Sequence, residues 1–407
     1  MNMRFIPYGR QSIDQEDIEA VVRTLKSDFL TQGPEIERFE KVVAEVVYAP
    51  YAVACANGTA ALHLASLAAG IGPGDRVLTS PITFVASANC ARYTGASVEF
   101  ADIDPGTFTL DPVACEKMLS LAKRAEHPFK AVVTVDLAGH PCDMQAFAAL
   151  KETYGFIWIQ DACHALGASW TNRRGEIQAI GSCKDVDFTV FSFHPVKHIT
   201  TGEGGLITTH DPALDARLRQ FRSHGITKDP TRFKNTSEAF DEKGNPNPWY
   251  YEMQDLGFNY RLTDPQAALG TRQIARLPVF LARRRTIAAR YRRAFAEMRH
   301  VRLPELREGV EHAYHLVLVN IDFDALGKSR AWVMNELRAK GIGTQVHYIP
   351  VPMMPAYGAD PVDPTGSMRD FPIAMGYYRQ ALSLPCFADL SDEEVERVIT
   401  ALKEVAD

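Results

Sequence analysis

Val186-Asp187-Phe188-Thr189-Val190-Phe191-Ser192-Phe193 reads as a buried strand, and His194-Pro195-Val196-Lys197-His198 follows it at once. Thr200-Thr201-Gly202-Glu203-Gly204-Gly205 then forms a glycine-rich turn into a second strand, Leu206 to Thr209. An ammonium at the end of an apolar strand is costly unless it is paired or chemically used. Lys41, Lys117, Lys123, Lys151 and Lys403 sit instead among charges on helical patterns, where water solvates them. A partly buried lysine releases its proton more easily and offers the neutral amine that Schiff-base chemistry requires. A lysine whose stem lies along the strand end while its head reaches water is the competing reading, and this segment alone leaves both open.

Working outward, Ser12 and Asp14 offer N-caps for a helix with Ile18, Val21, Val22 and Leu25 on one face. Thr31-Gln32-Gly33-Pro34 breaks the chain, and Pro34 starts a second helix carrying Ile36, Phe39, Val43 and Val46. Ala52 to Cys55 is a short apolar run, Asn57-Gly58-Thr59 a turn, and Ala60 to Ala69 a small-residue helix. Strands are expected at Arg76 to Thr79, Ser97 to Ala101, Ala131 to Val135 and Phe156 to Gln160. Near-continuous apolar strands separated by helices imply a sheet covered on both faces, so the fold class is α/β with a mainly parallel sheet. Ligands of such sheets bind at the carboxyl ends of the strands. The stretch from Lys228 to Pro248 is polar and rich in Gly, Pro and Asn, as functional or mobile loops are. A long basic helix through Arg283, Arg284, Arg285 and Arg290 follows, and strands such as His315 to Ile321 suggest a smaller α+β domain. The division is expected near Arg276, giving an arm and large domain over 1–275 and a small domain over 276–407.

Composition narrows the function classes. With 46% hydrophobic and 23% charged residues, the 407-residue chain reads as an ordinary soluble globular protein of two or three domains. A net charge of -6 leaves no basic footprint for nucleic acid. No apolar span of about 20 residues predicts a membrane helix, and the Met1 to Arg10 segment does not read as a leader, so a cytoplasmic location is expected. Seven scattered cysteines without a Cys-x-x-Cys read as reduced thiols. The His194/His198 and His312/His315 pairs lack a third ligand nearby, so no metal site is expected.

Three features combine with Lys197. Asn57-Gly58-Thr59 opens a helix, where unpaired amides and the helix dipole make a phosphate seat. Ile157-Trp158-Ile159-Gln160-Asp161 puts a carboxylate at a buried strand end, where it needs a cation: a protonated pyridine nitrogen or a structural arginine. Phe84, after the strand Arg76 to Thr79, is placed to cover a flat ring or to fill the core. A phosphate seat, an aromatic cover, an aspartate and a lysine, in that chain order, are the parts that pyridoxal phosphate requires.

On these residues the chain resembles the DegT/DnrJ/EryC/StrS sugar aminotransferases, fold type I enzymes dependent on pyridoxal phosphate. The resemblance runs through Leu30-Thr31-Gln32-Gly33-Pro34, the Asn57 turn, Ser80-Pro81-Ile82-Thr83-Phe84-Val85, Asp161-Ala162-Cys163-His164, Phe191 to Lys197, and Gly257-Phe258-Asn259-Tyr260-Arg261. It implies that Lys197 forms the Schiff base with the cofactor and then moves the proton. It implies that Asp161 holds the pyridine nitrogen protonated, Phe84 stacks on the ring, and His164 lies near its 3-oxygen. Gly58, Thr59 and Ser192 would bind the phosphate, with Asn259 reaching it from a second subunit of a homodimer. Tyr8, Asp28, Phe29, Leu30, Thr31, His347, Tyr348, Ile349 and Pro350 would line the sugar-nucleotide pocket.

Within the family, Ile6 to Gln11, His194 to Gly205 and Phe221-Arg222-Ser223-His224-Gly225 most resemble the branch serving pseudaminic acid biosynthesis and, through it, surface polysaccharide and flagellin glycosylation. That branch aminates C4 of UDP-2-acetamido-2,6-dideoxy-β-L-arabino-hexos-4-ulose with L-glutamate as donor. Sister activities of the perosamine, bacillosamine or 4-amino-arabinose type share the lysine loop. A non-catalytic, regulatory member of the fold would have no need of Lys197, Asp161 and the phosphate turn together.

Overall fold

A computed structural model of the chain describes residues 4–360 and 363–406. The N-terminal helices are α1 (Gln15–Leu25), capped by Asp14, and α2 (Pro34–Val47). Then come β1 (Tyr51–Cys55), α3 (Gly58–Ala68), β2 (Arg76–Thr79), α4 (Val85–Tyr93), β3 (Ser97–Phe100), α5 (Pro112–Arg124), β4 (Ala131–Val135), α6 (Met144–Tyr154) and β5 (Ile157–Asp161). Short strands β6 (Ser169–Thr171) and β7 (Ile177–Ala179) precede β8 (Phe188–Ser192), β9 (Gly205–Thr209) and α7 (Pro212–Arg222).

The main sheet has seven strands in the order β1-β9-β8-β5-β4-β2-β3. Parallel pairing runs from β8 across to β3, and only β9 opposes its neighbours. Both faces are buried because successive side chains alternate between two apolar layers. Val132 packs with α5 and α6 on one face, while Ala131 and Val133 face α3 and α4 on the other. The large parallel sheet and the order of its elements agree with the sequence reading. Strand ends differ by a residue or two, as at β5, which gains Asp161 as its last residue.

The polar segment after α7 holds β10 (Ile226–Thr227), a one-turn α8 (Thr236–Ala239) and β11 (Glu252–Met253), the two strands pairing antiparallel. Helix α9 (Asp264–Ala294) then runs 31 residues through both parts of the molecule. Ile274, Leu277, Phe280 and Leu281 pack in the core under the large sheet, whereas Ile287, Ala288 and Tyr291 belong to a second core. That second core is built on β12 (Val301–Arg302), β14 (Val317–Ile321) and β15 (Ala381–Leu384), with α11 (Arg330–Ala339) and α13 (Asp392–Ala406). The remaining pieces are β13 (Val310–Glu311), which extends the β6–β7 pair, α10 (Phe323–Leu326) and α12 (Pro372–Gln380). Among the described residues no helix is long and apolar enough to cross a membrane.

Two long-range connections position the site. Ile6 pairs with the small core, donating to the Gly341 carbonyl at 2.9 Å and accepting from the Gly343 amide at 2.7 Å, while Cys386 N donates to the Tyr8 carbonyl at 3.0 Å. The opening segment is thus stitched to the C-terminal part, which fixes Tyr8. Buried Glu40 on α2 pairs with Arg219 at 2.8 Å and Arg222 at 2.7 Å and accepts from the Ala54 amide at 2.9 Å. This locks α2 and α7 against β1, just before the Asn57 turn.

Candidate active site

The Asn57 turn, Phe84, Asp161 and Ser192 stand at strand ends or helix starts, while Tyr8, His347 and Tyr348 come from loops. After β1, Asn57 caps α3 by accepting from the Ala60 amide at 2.8 Å. A Cβ on Gly58 would stand 3.0 Å from Ser192 Cβ and 3.3 Å from its Oγ, so the turn presses against the end of β8. The first amides of a helix have no partner within it, and here they begin beside the Ser192 hydroxyl.

Lys197 lies just past β8, its amide donating to the His194 carbonyl at 2.9 Å and its carbonyl accepting from Arg284 Nη2 at 3.4 Å. Removal from bulk water lowers the proton affinity of its amine, an effect that Cys163 and Asp161 partly offset. Asp161, 7% exposed, accepts from the Cys163 amide at 3.1 Å and from Ser87 Oγ at 2.5 Å. Among the described residues no cationic side chain forms an ion pair with it. A buried carboxylate held only by neutral donors has capacity for one more, strongly cationic, hydrogen-bond donor.

His164 has a defined tautomer. The Ala138 amide donates to its Nδ1 at 3.2 Å, so the ring proton resides on Nε2, which lies 3.1 Å from Tyr348 Oη. Burial, followed by the nearby Lys197 charge, pushes the His164 pKa well below the usual histidine value and keeps the ring neutral. His315 packs against it with ring centroids 4.4 Å apart. Tyr8 contacts His347 at a centroid separation of 5.3 Å, and His347 Nδ1 lies 2.8 Å from Ser383 Oγ. Phe84, the N-cap of α4, stands 55% exposed at the cavity, its ring 6.1 Å from that of Tyr348.

These groups share one cavity of about 650 Å³, within the range of small-molecule and cofactor sites. Tyr8, Gly58, Thr59, Phe84, Asp161, His164, Ser192, Lys197, His347 and Tyr348 all line it. The other expected residues lie elsewhere in the single chain. Asp28 and Phe29 line a separate groove beside α1, α2 and the start of α9. Leu30 accepts from the Asp264 amide at 3.1 Å, and Thr31 bridges to Thr263. Ile349 is 46% exposed and Pro350 is buried, both outside the cavity wall. Asn259 is exposed and pairs through its backbone with Ser223.

The sequence reading missed Thr83, Cys163, His194, Glu203, Tyr260 and His315 as wall residues. Cys163 and Tyr260 adjoin motif residues already singled out. His315 was weighed only as a metal ligand, and nothing local marks it as a neighbour of Lys197.

The donor set fits pyridoxal phosphate: helix-start amides and a hydroxyl for the phosphate, a buried carboxylate for the ring nitrogen, an aromatic cover, and a desolvated amine. The DegT/DnrJ/EryC1/StrS aminotransferase family matches residues 11–403. The chain belongs to this family. The spore coat polysaccharide biosynthesis protein SpsC of Bacillus subtilis (strain 168) is 38% identical over 403 residues, covering 98% of this chain and 97% of that protein. Helicobacter pylori PseC, an aminotransferase involved in the biosynthesis of pseudoaminic acid, superposes with a TM-score of 0.85 at 27% identity, covering 99% of each chain. The putative sugar aminotransferase Spr1654 from Streptococcus pneumoniae, in its PLP form, gives a TM-score of 0.84 at 28% identity over 99% of this chain and 98% of its own. Spr1654 is also solved in a PMP form. This member of the family is therefore a sugar aminotransferase of fold type I, dependent on pyridoxal phosphate.

Proposed function

We propose that this aminotransferase moves an amino group from L-glutamate to C4 of a UDP-linked 4-keto-6-deoxy-N-acetylhexosamine, in the cytoplasm, on the route to pseudaminic acid. The observation that carries the reading is the convergence of Tyr8, His347 and Tyr348 on the cavity that holds Lys197 and Asp161. Similarity to PseC over nearly the full chain supports the same substrate class. The similarity to SpsC favours a second reading, in which the product amino sugar enters a different surface polysaccharide.

Pyridoxal phosphate, when bound, supplies an electron-accepting ring that allows a proton to leave the carbon bearing nitrogen. The chain supplies the rest. Lys197, whose burial favours the neutral amine, would take that proton and return it to the carbon on the other side of the nitrogen. Asp161 bonds the ring nitrogen and keeps it positive. Gly58, Thr59 and Ser192 hold the phosphate, Phe84 covers the ring face, and neutral His164 donates through Nε2 toward the ring oxygen or to Tyr348. Tyr8, His347 and Tyr348 would orient the sugar so that its ketone carbon lies within reach of the amino group carried by the cofactor, with the Lys197 amine beside it to move the proton.

The exposed positions of Asp28, Phe29, Leu30, Thr31 and Asn259 support a homodimer in which these residues complete the neighbouring site. The substrate assignment is tested by incubating the enzyme with glutamate and matched UDP-, GDP- and dTDP-linked 4-keto sugars while following 2-oxoglutarate. A site that bonds a particular acetamido or hydroxyl group rejects analogues lacking it by up to ~10⁴-fold. A clear preference for a GDP- or dTDP-sugar, or for a 3-keto isomer, overturns the pseudaminic acid assignment and leaves the aminotransferase class standing.

A further inference from the structure

Asp161 is linked to a further group of polar side chains, of which Thr83 also lines the cavity. Ser87 on α4 and Thr83 just before it are 0% and 1% exposed, and their hydroxyls lie 2.7 Å apart. Ser87 Oγ is in turn 2.5 Å from Asp161 Oδ2, and the other carboxylate oxygen accepts from the Cys163 amide at 3.1 Å. The direction of the chain follows from hydrogen counting. An ionised carboxylate only accepts, so the single Ser87 proton points to Asp161. Ser87 must then accept from its other neighbour, and Thr83 is the donor. The relay reads Thr83 Oγ1–H to Ser87 Oγ–H to Asp161 Oδ2. Hydrogen bonds in series polarise one another, so the outer hydroxyl strengthens the inner bond.

A buried serine and threonine could serve only to satisfy each other. Their arrangement does more, because the chain of donors ends on one carboxylate oxygen while the Cys163 amide holds the other. Two donors on separate oxygens fix the plane of the Asp161 carboxylate. They also draw electron density from it and leave lone pairs on both oxygens to accept from a cationic partner.

We propose that Ser87, supported by Thr83, is a positioning residue that orients Asp161 and keeps it a weak base toward the cofactor nitrogen. The proposal rests on the reading of Asp161 given above. Four variants and two readouts test it: pyridoxal phosphate affinity of the apoprotein by fluorescence, and the pH midpoint of the visible band of the loaded enzyme. Ser87→Ala is expected to weaken cofactor binding roughly tenfold or more, the effect of one charge-assisted hydrogen bond. It should also move the midpoint upward, because a more basic carboxylate leaves less positive charge on the ring. Thr83→Val should shift both readouts in the same direction by less, and Ser87→Thr, which keeps a hydroxyl, should restore them. Wild-type affinity and midpoint in folded Ser87→Ala overturn the relay. If Ser87→Ala fails to fold, Thr83→Val decides, an unchanged midpoint counting against the proposal. Asp161→Asn separates the two readings. If it leaves the midpoint unmoved, the role of Asp161 itself is wrong; if it moves the midpoint and Ser87→Ala does not, only the relay falls.

Discussion

Gly205 lies directly behind Asn57: a Cβ on Gly205 would come within 2.3 Å of the Asn57 carbonyl oxygen and 2.9 Å of the Gly58 amide nitrogen. The register that pairs Cys55 with Gly205 brings about this approach, because β9 begins beside the turn that follows β1. The turn proposed to hold the phosphate therefore depends on a residue about 150 positions further along the chain.

Gly205→Ala is expected to push the Asn57–Gly58 backbone away from β9, since a main-chain atom cannot yield as a flexible side-chain tip does. Cofactor affinity should fall markedly while far-UV circular dichroism stays near wild type. A titration of apoprotein with pyridoxal phosphate that matches wild type would show that the turn relaxes without cost.

Lys197→Ala removes the amine while leaving its neighbours in place. The visible absorbance of bound cofactor and all turnover should disappear, with melting behaviour of the apoprotein close to wild type. A variant that keeps both colour and turnover would assign the chemistry to another group.

Asn259 tests the shared-site arrangement. Lys197→Ala and Asn259→Ala subunits are each expected to be impaired as homodimers. Mixed under conditions where exchange is verified by differently tagged subunits, they should regain activity through one intact site per heterodimer. Failure to regain it despite exchange would mean each subunit works alone.

Stability should fall steeply in acid. Burial lowers the pKa values of His63, His140, His164, His198, His312, His315 and His347, to about 4 for His140 and about 3 for His347. A histidine depressed in the fold contributes stability that is present above its unfolded value of 6.5 and lost as pH falls through the folded value. Asp136 acts in the opposite sense: burial raises it to about 7 from 3.8, so its contribution is full below pH 3.8 and lost as pH rises through about 7. Seven groups outweigh one, and stability between pH 6.5 and pH 4 should drop with acidification. Urea midpoints at pH 7.5, 6 and 5 measure this, and His312→Gln should flatten the trend. Equal midpoints across the series would contradict it.

The sequence showed what local patterns can carry. Strands such as Ala131–Val135 and Arg76–Thr79 are runs of apolar or β-branched residues whose limits are visible in the chain, and the helix at Pro34 announces itself by its first residue. The lysine, the aspartate and the turn that share the cavity were each legible because they stand at strand ends. What pairs across the fold was not. The α2 start is capped by Asp264, whose carboxylate accepts from the Gly33 amide at 2.9 Å and the Glu35 amide at 3.1 Å, 231 and 229 residues away. Likewise, no local periodicity could tie Ser87 to Asp161, 74 residues apart. Sheet order decides such contacts, and a one-dimensional pattern records strands without recording their neighbours.

The stitching of Ile6 and Tyr8 to Gly341, Gly343 and Cys386 has a consequence for the order of events at the ribosome. Domains begin folding while synthesis continues, the N-terminal part first. The sheet that carries Asp161 is complete once Thr209 has emerged, yet the ring contact of Tyr8 waits for His347 and the hydrogen bond to its carbonyl waits for Cys386. One wall of the cavity is therefore closed across a long stretch of intervening chain. Until those later residues emerge, the lysine loop stands without the wall that Tyr8 and His347 make.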